Sequence, residues 1–170
     1  MSETLTPKFL TKQLAEKAIH YFINGIFSAN IPFKRKACCI VVLVPAMEVG
    51  HETTDMDYPN FPTKAHFLCE YQLLKDKWTG DYDQIARCKA LQLWHGRNDD
   101  GTSIKPHLLF PNDTVYWGGV KRHGIVVACS GVQPWFDKML SGMIADLLVG
   151  LAHNEWVTSK DAESKVDFLT

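Results

Sequence analysis

Residues 118–156 read GGVKRHGIVVACSGVQPWFDKMLSGMIADLLVGLAHNEW. Within them, 125–129 (IVVAC) is a short unbroken apolar run rich in β-branched residues, the pattern of a strand covered on both faces. Arg122-His123-Gly124 before it predicts a hairpin turn, with Gly124 able to take positive φ. After the strand come Ser130-Gly131-Val132-Gln133-Pro134, a sharp turn whose proline suits a first helical position, where its missing N–H would be unpaired anyway. The helix that follows places Trp135, Phe136, Met139, Leu140, Met143, Ile144, Leu147, Leu148 and Leu151 at spacings of three and four. Lys138, Ser141, Ala145 and Asp146 fall on its other side. The expectation is a hairpin, a bend and a core helix laid on a sheet.

Upstream, residues 37–44 (ACCIVVLV) form a second continuous apolar run, a central strand ended by Pro45. Residues 65–73 alternate Ala65, Phe67, Cys69, Tyr71 and Leu73 with polar neighbours and predict a half-buried strand. Thr6-Pro7 opens a helix whose stripe is Leu10, Leu14, Ala18, Tyr21, Phe22 and Ile26. Asp81, with Gln84 three residues on, caps a second helix that turns Tyr82, Ile85, Ala86, Ala90, Leu93 and Trp94 inward and stops at Gly96. Residues 46–63 read as a polar loop, 108–110 as a short strand, and 114–120 as the hairpin partner of 125–130. The order α-β-β-α-β-β-α predicts an α+β domain with a mainly antiparallel central sheet of about five strands and helices packed on it. One domain spans 1–157, followed by a loose charged tail over 158–170.

Composition narrows the function class. A chain of 170 residues with 46% hydrophobic and 22% charged residues is an ordinary globular protein able to bury a core. Net charge is −1, and the one basic run, Lys34-Arg35-Lys36, reads as the solvated flank of a strand, so no nucleic-acid partner is expected. Asp137, Lys138 and Asp146 interrupt the final apolar helix, so no membrane span is expected. Five cysteines inside apolar or periodic segments predict reduced, buried thiols and a cytoplasmic location.

Three local features resemble the GlcG/HbpS-like family, the haem-degrading domain. Ile85-Ala86-Arg87-Cys88-Lys89-Ala90 is similar to that family's apolar-Ala-x-x-Lys-Ala segment. Gly118-Gly119-Val120 is similar to the Gly-Gly-Val ahead of its final hairpin. The run from Gly124 through Ser130-Gly131 to Asp137 resembles its glycine, apolar strand, Ser-Gly and Asp pattern. The likeness covers roughly residues 5–153. It departs in the longer 46–63 loop, in Lys121 where the family has proline, and in the bulkier final helix. The resemblance implies an oligomer-forming domain that binds a small molecule or a tetrapyrrole, and it carries over no individual ligand residue.

The chemistry-bearing residues fall into three groups. Ser130, Gly131 and Gln133 sit where backbone amides and a helix dipole can meet a carboxylate or phosphate, or where Ser130 merely caps the turn and Gly131 relieves strain. Gly118, Gly119, Trp117 and His123 complete the candidate ligand-binding set, with Trp94, His95 and Tyr116 as possible flanks and His123, His95 and His107 as haem-ligand candidates. His51 and Glu52 are the candidate metal ligands, helped by a distant His66 or His123, although loop acids are more commonly solvated. Cys129 beside Ser130 invites a nucleophile reading, which burial of a thiol opposes. No catalytic set is assigned. The expectation is a small-molecule-binding or sensing domain that takes a tetrapyrrole or small carboxylate and self-associates through Trp135, Met139, Met143 and Leu147. The alternative is an enzyme acting on a small anionic metabolite at residues 130–134.

Overall fold

A computed structural model describes residues 4–48, 63–98 and 103–169. In chain order it has β1 (Thr4–Leu5), α1 (Lys12–Ile26), β2 (Cys38–Glu48), β3 (Lys64–Leu73) and α2 (Tyr82–Trp94). Then follow β4 (Gly119–Arg122), β5 (Ile125–Ser130), α3 (Pro134–Val157) and α4 (Lys160–Glu163). The long strand β2 is the hub. It pairs antiparallel with β3, with β5 from Cys39↔Ser130 to Leu43↔Val126, and with β1 at Thr4↔Glu48 and Leu5↔Met47. β4 pairs antiparallel with β5, completing an α+β domain on an antiparallel sheet of five strands.

The two apolar runs are unbroken because both sheet faces are covered. Cys38, Ile40, Val42 and Val44 of β2, with Ile125, Val127 and Cys129 of β5, pack toward α1 and α3. Cys39, Val41 and Leu43, with Val126 and Ala128, pack toward α2. Every one of these side chains is buried, and each aliphatic one contributes about 1.5–3 kcal/mol by leaving water. The adjacent thiols of Cys38 and Cys39 therefore lie on opposite faces, and all five cysteines are free.

Several expectations are corrected. Pro45 does not end β2: pairing with β5 stops at Leu43 and pairing with β1 starts at Met47, so one flank there tolerates a missing N–H. Alternation in β3 breaks at a bulge, where Val42 faces Cys69 but Leu43 faces Phe67. The extra residue, Leu68, is buried beside Cys69, while Phe67 is turned out. The first helix is capped by Thr11, whose hydroxyl accepts from Leu14 N at 3.1 Å, whereas Pro7 forms a separate turn with Leu10. Its buried face is Leu14, Ala15, Ala18, Ile19 and Ile23, and Tyr21 is exposed.

Asp81 stands at the N-cap of α2 without a side-chain bond. Of the expected short strand 108–110, Leu108 ends a 3-10 turn (Pro106–Leu108) and residues 109–110 are not strand. Of the expected 114–120 segment only Gly119 and Val120 join the ladder, which runs on to Arg122. Residues 114–116 are instead tied to α2 and its exit. Gln92 Nε2 donates to Thr114 O (3.2 Å), Thr114 N donates to Gln92 Oε1 (3.1 Å), and Asn98 Nδ2 donates to Tyr116 O (3.3 Å). The buried stripe of α3 is Asp137, Leu140, Ser141, Ile144, Ala145 and Leu148, rotated from the expected one, and Gly142 beside it is buried under the Arg122 guanidinium. Small Ser141 and Ala145 let the helix sit close to the sheet, and the Ser141 hydroxyl is satisfied by Asp137 O at 2.6 Å. The C-terminal segment is not loose throughout: Ser159 caps α4 through Ala162 N, and Asp161 pairs with Lys8. No helix among the described residues is long and apolar enough to cross a membrane.

Candidate functional site

β5 and α3 meet in the expected bend. Gly131 takes φ +126°, and a Cβ there would stand 2.5 Å from Ala37 O and 2.7 Å from the Tyr82 ring. Glycine is required both for the backbone angle and for the space. Gln133 is the extended N-cap residue of α3, with Pro134 as its first residue. The Gln133 side chain does not cap α3; its Oε1 accepts from Lys34 N at 3.1 Å.

Two buried charges of opposite sign brace this bend from below. Lys89, 1% exposed on α2, donates to Cys129 O at 2.9 Å and to Asp137 Oδ2 at 3.1 Å. Asp137, 3% exposed in the first turn of α3, accepts from Val132 N through Oδ1 at 3.1 Å. Burial pushes the Asp137 carboxyl above its usual range, and Lys89 and the Val132 amide pull it back down. One backbone donor expected to face a ligand is thus already taken by an internal carboxylate. Gly118 packs directly on the pair, where a Cβ would come within 2.7 Å of Asp137 Cβ and 3.3 Å of Lys89 Nζ.

Above the pair lies a cleft of about 290 Å³. Arg35 forms one wall, its Nε donating to Gly131 O (2.8 Å) and its Nη2 to Val132 O (3.0 Å). The guanidinium also lies 6.0 Å from the Tyr82 ring centroid. Tyr82 OH and Thr79 Oγ1 share a 2.8 Å hydrogen bond, and Tyr116 forms the far lip.

Of the expected ligand-binding residues, Ser130, Gly131 and Gln133 line this cleft. Trp117, Gly118, Gly119 and His123 do not line it. Gly118 and Gly119 admit close packing behind it, where a Cβ on Gly119 would meet Leu93 Cδ1 at 2.6 Å. His123 sits exposed at the hairpin tip with φ +51°, at the other end of β5 from the bend. His51 and Glu52 lie outside the described residues, and among the described residues no three metal-ligating side chains gather. Cys129 is fully buried, and burial together with Cys38 raises its thiol pKa well above the ordinary value, as expected of a structural thiol.

Sequence reasoning missed Arg35, Thr79, Tyr82 and Lys89 as site residues. One signal was present: Lys89 interrupts the inward stripe Tyr82, Ala86, Ala90, Leu93, and a lysine there needs a buried partner. Comparison of the chain with protein-family models, with curated proteins and with solved structures found no match.

Proposed function

We propose that the chain is a small-molecule-binding domain whose cleft takes a small carboxylate. The observation that carries this reading is the cleft itself, with Arg35 and two aromatic hydroxyls around the start of a 24-residue helix. Arg35 spends Nε and Nη2 on the bend, and neither of those two bonds uses Nη1. The cleft lies at the small end of the usual range for ligand sites, about 300–1,000 Å³, which favours a small acid over a tetrapyrrole. Its described lining holds guanidinium, hydroxyl and amide groups above the Lys89–Asp137 pair, and no imidazole. Binding is favoured over catalysis because the titratable groups at its floor, Lys89 and Asp137, are committed to each other and to the backbone. The element order supports the GlcG/HbpS-like reading, and the exposed Trp135 and Met143 on α3 support self-association.

The test is isothermal titration of a panel of small mono- and dicarboxylates, with haemin as a separate arm. The expected result is binding of at least one acid that Arg35→Met weakens about 10–100-fold, the worth of one hydrogen bond to a charged group. Binding of haemin alone, of no acid, or of an acid equally by the variant would overturn the reading.

A further inference from the structure

The outer side of α3 carries apolar surface that neither the sheet nor α1 covers. Trp135 is 54% exposed and Met143 is 42% exposed, with Met139 half-buried between them. They line a groove of about 340 Å³ with Arg122, Lys138, Gly142 and Asp146. Its charges are placed symmetrically, since Lys138 lies four residues before Gly142 and Asp146 four residues after it. Asp146 Oδ2 accepts from Arg122 Nη1 at 2.7 Å yet stays 58% exposed, and among the described residues Lys138 has no ion-pair partner. Gly150, one stripe position beyond Asp146, is exposed, and nothing within 4 Å occupies the place of a Cβ there.

We infer that this groove docks a second copy of the chain, with the two α3 helices antiparallel and crossing at Gly142. The inference rests on the self-association proposed above and assigns it a surface and a register. Antiparallel packing about a two-fold axis brings residue i of one helix opposite a residue near 284 − i of the other. Lys138 then faces Asp146 of the second copy, twice over. Trp135 comes opposite the open space at Gly150, about half a residue (roughly 0.75 Å) off the same centre. A patch holding both charge signs and an aromatic anchor with its own recess is self-complementary, as an isologous interface requires. The Arg122 guanidinium, 3.0 Å from where a Gly142 Cβ would sit, fills the crossing point with a flat group instead of a bare groove.

The test is molar mass by light scattering after size exclusion at micromolar concentration, with far-UV circular dichroism to confirm folding. The wild-type chain should run at about twice 19.2 kDa. Met143→Asp, Lys138→Glu and Asp146→Lys should each shift it toward monomer. An equimolar mixture of the two charge variants should restore the dimer, because in the mixed pair each new charge meets its opposite. A monomeric wild-type chain overturns both self-association and this surface. A dimer that withstands all three substitutions overturns the surface while leaving self-association standing. Weakened charge variants whose mixture stays monomeric overturn the antiparallel register.

Discussion

Replacing Lys89 by methionine removes the ammonium that holds the β5–α3 bend while keeping the length of the side chain. Two acceptors lose their donor at once, Cys129 O and Asp137 Oδ2, at sites 0% and 3% exposed. The carboxylate keeps only the Val132 amide among its described hydrogen bonds to backbone. Breaking a buried pair by deleting one partner costs about 3–5 kcal/mol, a large share of the roughly 5–15 kcal/mol that holds a domain of this kind folded. The sign with pH follows from burial, which already holds the folded Asp137 carboxyl above its unfolded value. Without Lys89 it rises further, so above the ordinary carboxylate pKa the folded chain retains a proton that the unfolded chain releases. Stability of the variant therefore falls as pH rises, and its deficit against wild type is greatest near pH 8 and shrinks toward about pH 5. Urea denaturation followed by tryptophan fluorescence at several pH values measures this, and Lys89→Met/Asp137→Asn should recover more than half of the loss. A deficit under about 1 kcal/mol at pH 8, below the usual range for a broken buried pair, or a deficit that grows on acidification, would refute the reasoning.

Gly131→Ala should lose about 2–5 kcal/mol, combining the left-handed backbone angle with a methyl 2.5 Å from Ala37 O. A shift in the urea midpoint worth less than about 1 kcal/mol would mean that the bend can be re-routed. On β3, Glu70 accepts from Arg87 Nε (2.8 Å) and Nη2 (2.7 Å), and these bonds hold its carboxyl below the usual value. That stability is present above the unfolded carboxylate pKa and is lost as pH falls through the depressed folded value. Arg87→Gln should therefore cost about 0.5–1 kcal/mol at pH 7 for this half-exposed pair, with the difference shrinking as pH falls below the ordinary carboxylate range. A difference of the same size at pH 3 and pH 7 would contradict the assignment.

The strands at 38–44 and 125–129 could be read directly because a sheet covered on both faces needs apolar residues at every position. The bend was legible for a local reason: Ser130-Gly131 followed by Pro134 leaves the chain few other options. What escaped depends on distant chain positions. The bulge at Leu68 is created by the register against β2, and Pro45 is tolerated only because two neighbouring strands leave a gap beside it. Ser141 and Ala145 turn inward because α3 must approach the sheet closely, a demand that hydrophobicity alone does not register. The part of the cleft wall that follows β5 in sequence was legible, Ser130, Gly131 and Gln133. Arg35 and Tyr82 come from segments brought beside the bend only by tertiary packing, and a basic run in sequence looks like any solvated flank.

The amide of Gln92 treats residue 114 as a neighbouring strand would, donating to its carbonyl and accepting from its N–H. A side chain thus stands in for a missing rung of sheet, and Asn98 repeats the service two residues later at Tyr116. The lip of the cleft is thereby anchored to a helix that is itself pressed onto the central sheet. The carboxylate proposed for the cleft would meet a wall already in position, so little ordering entropy would be charged against its affinity.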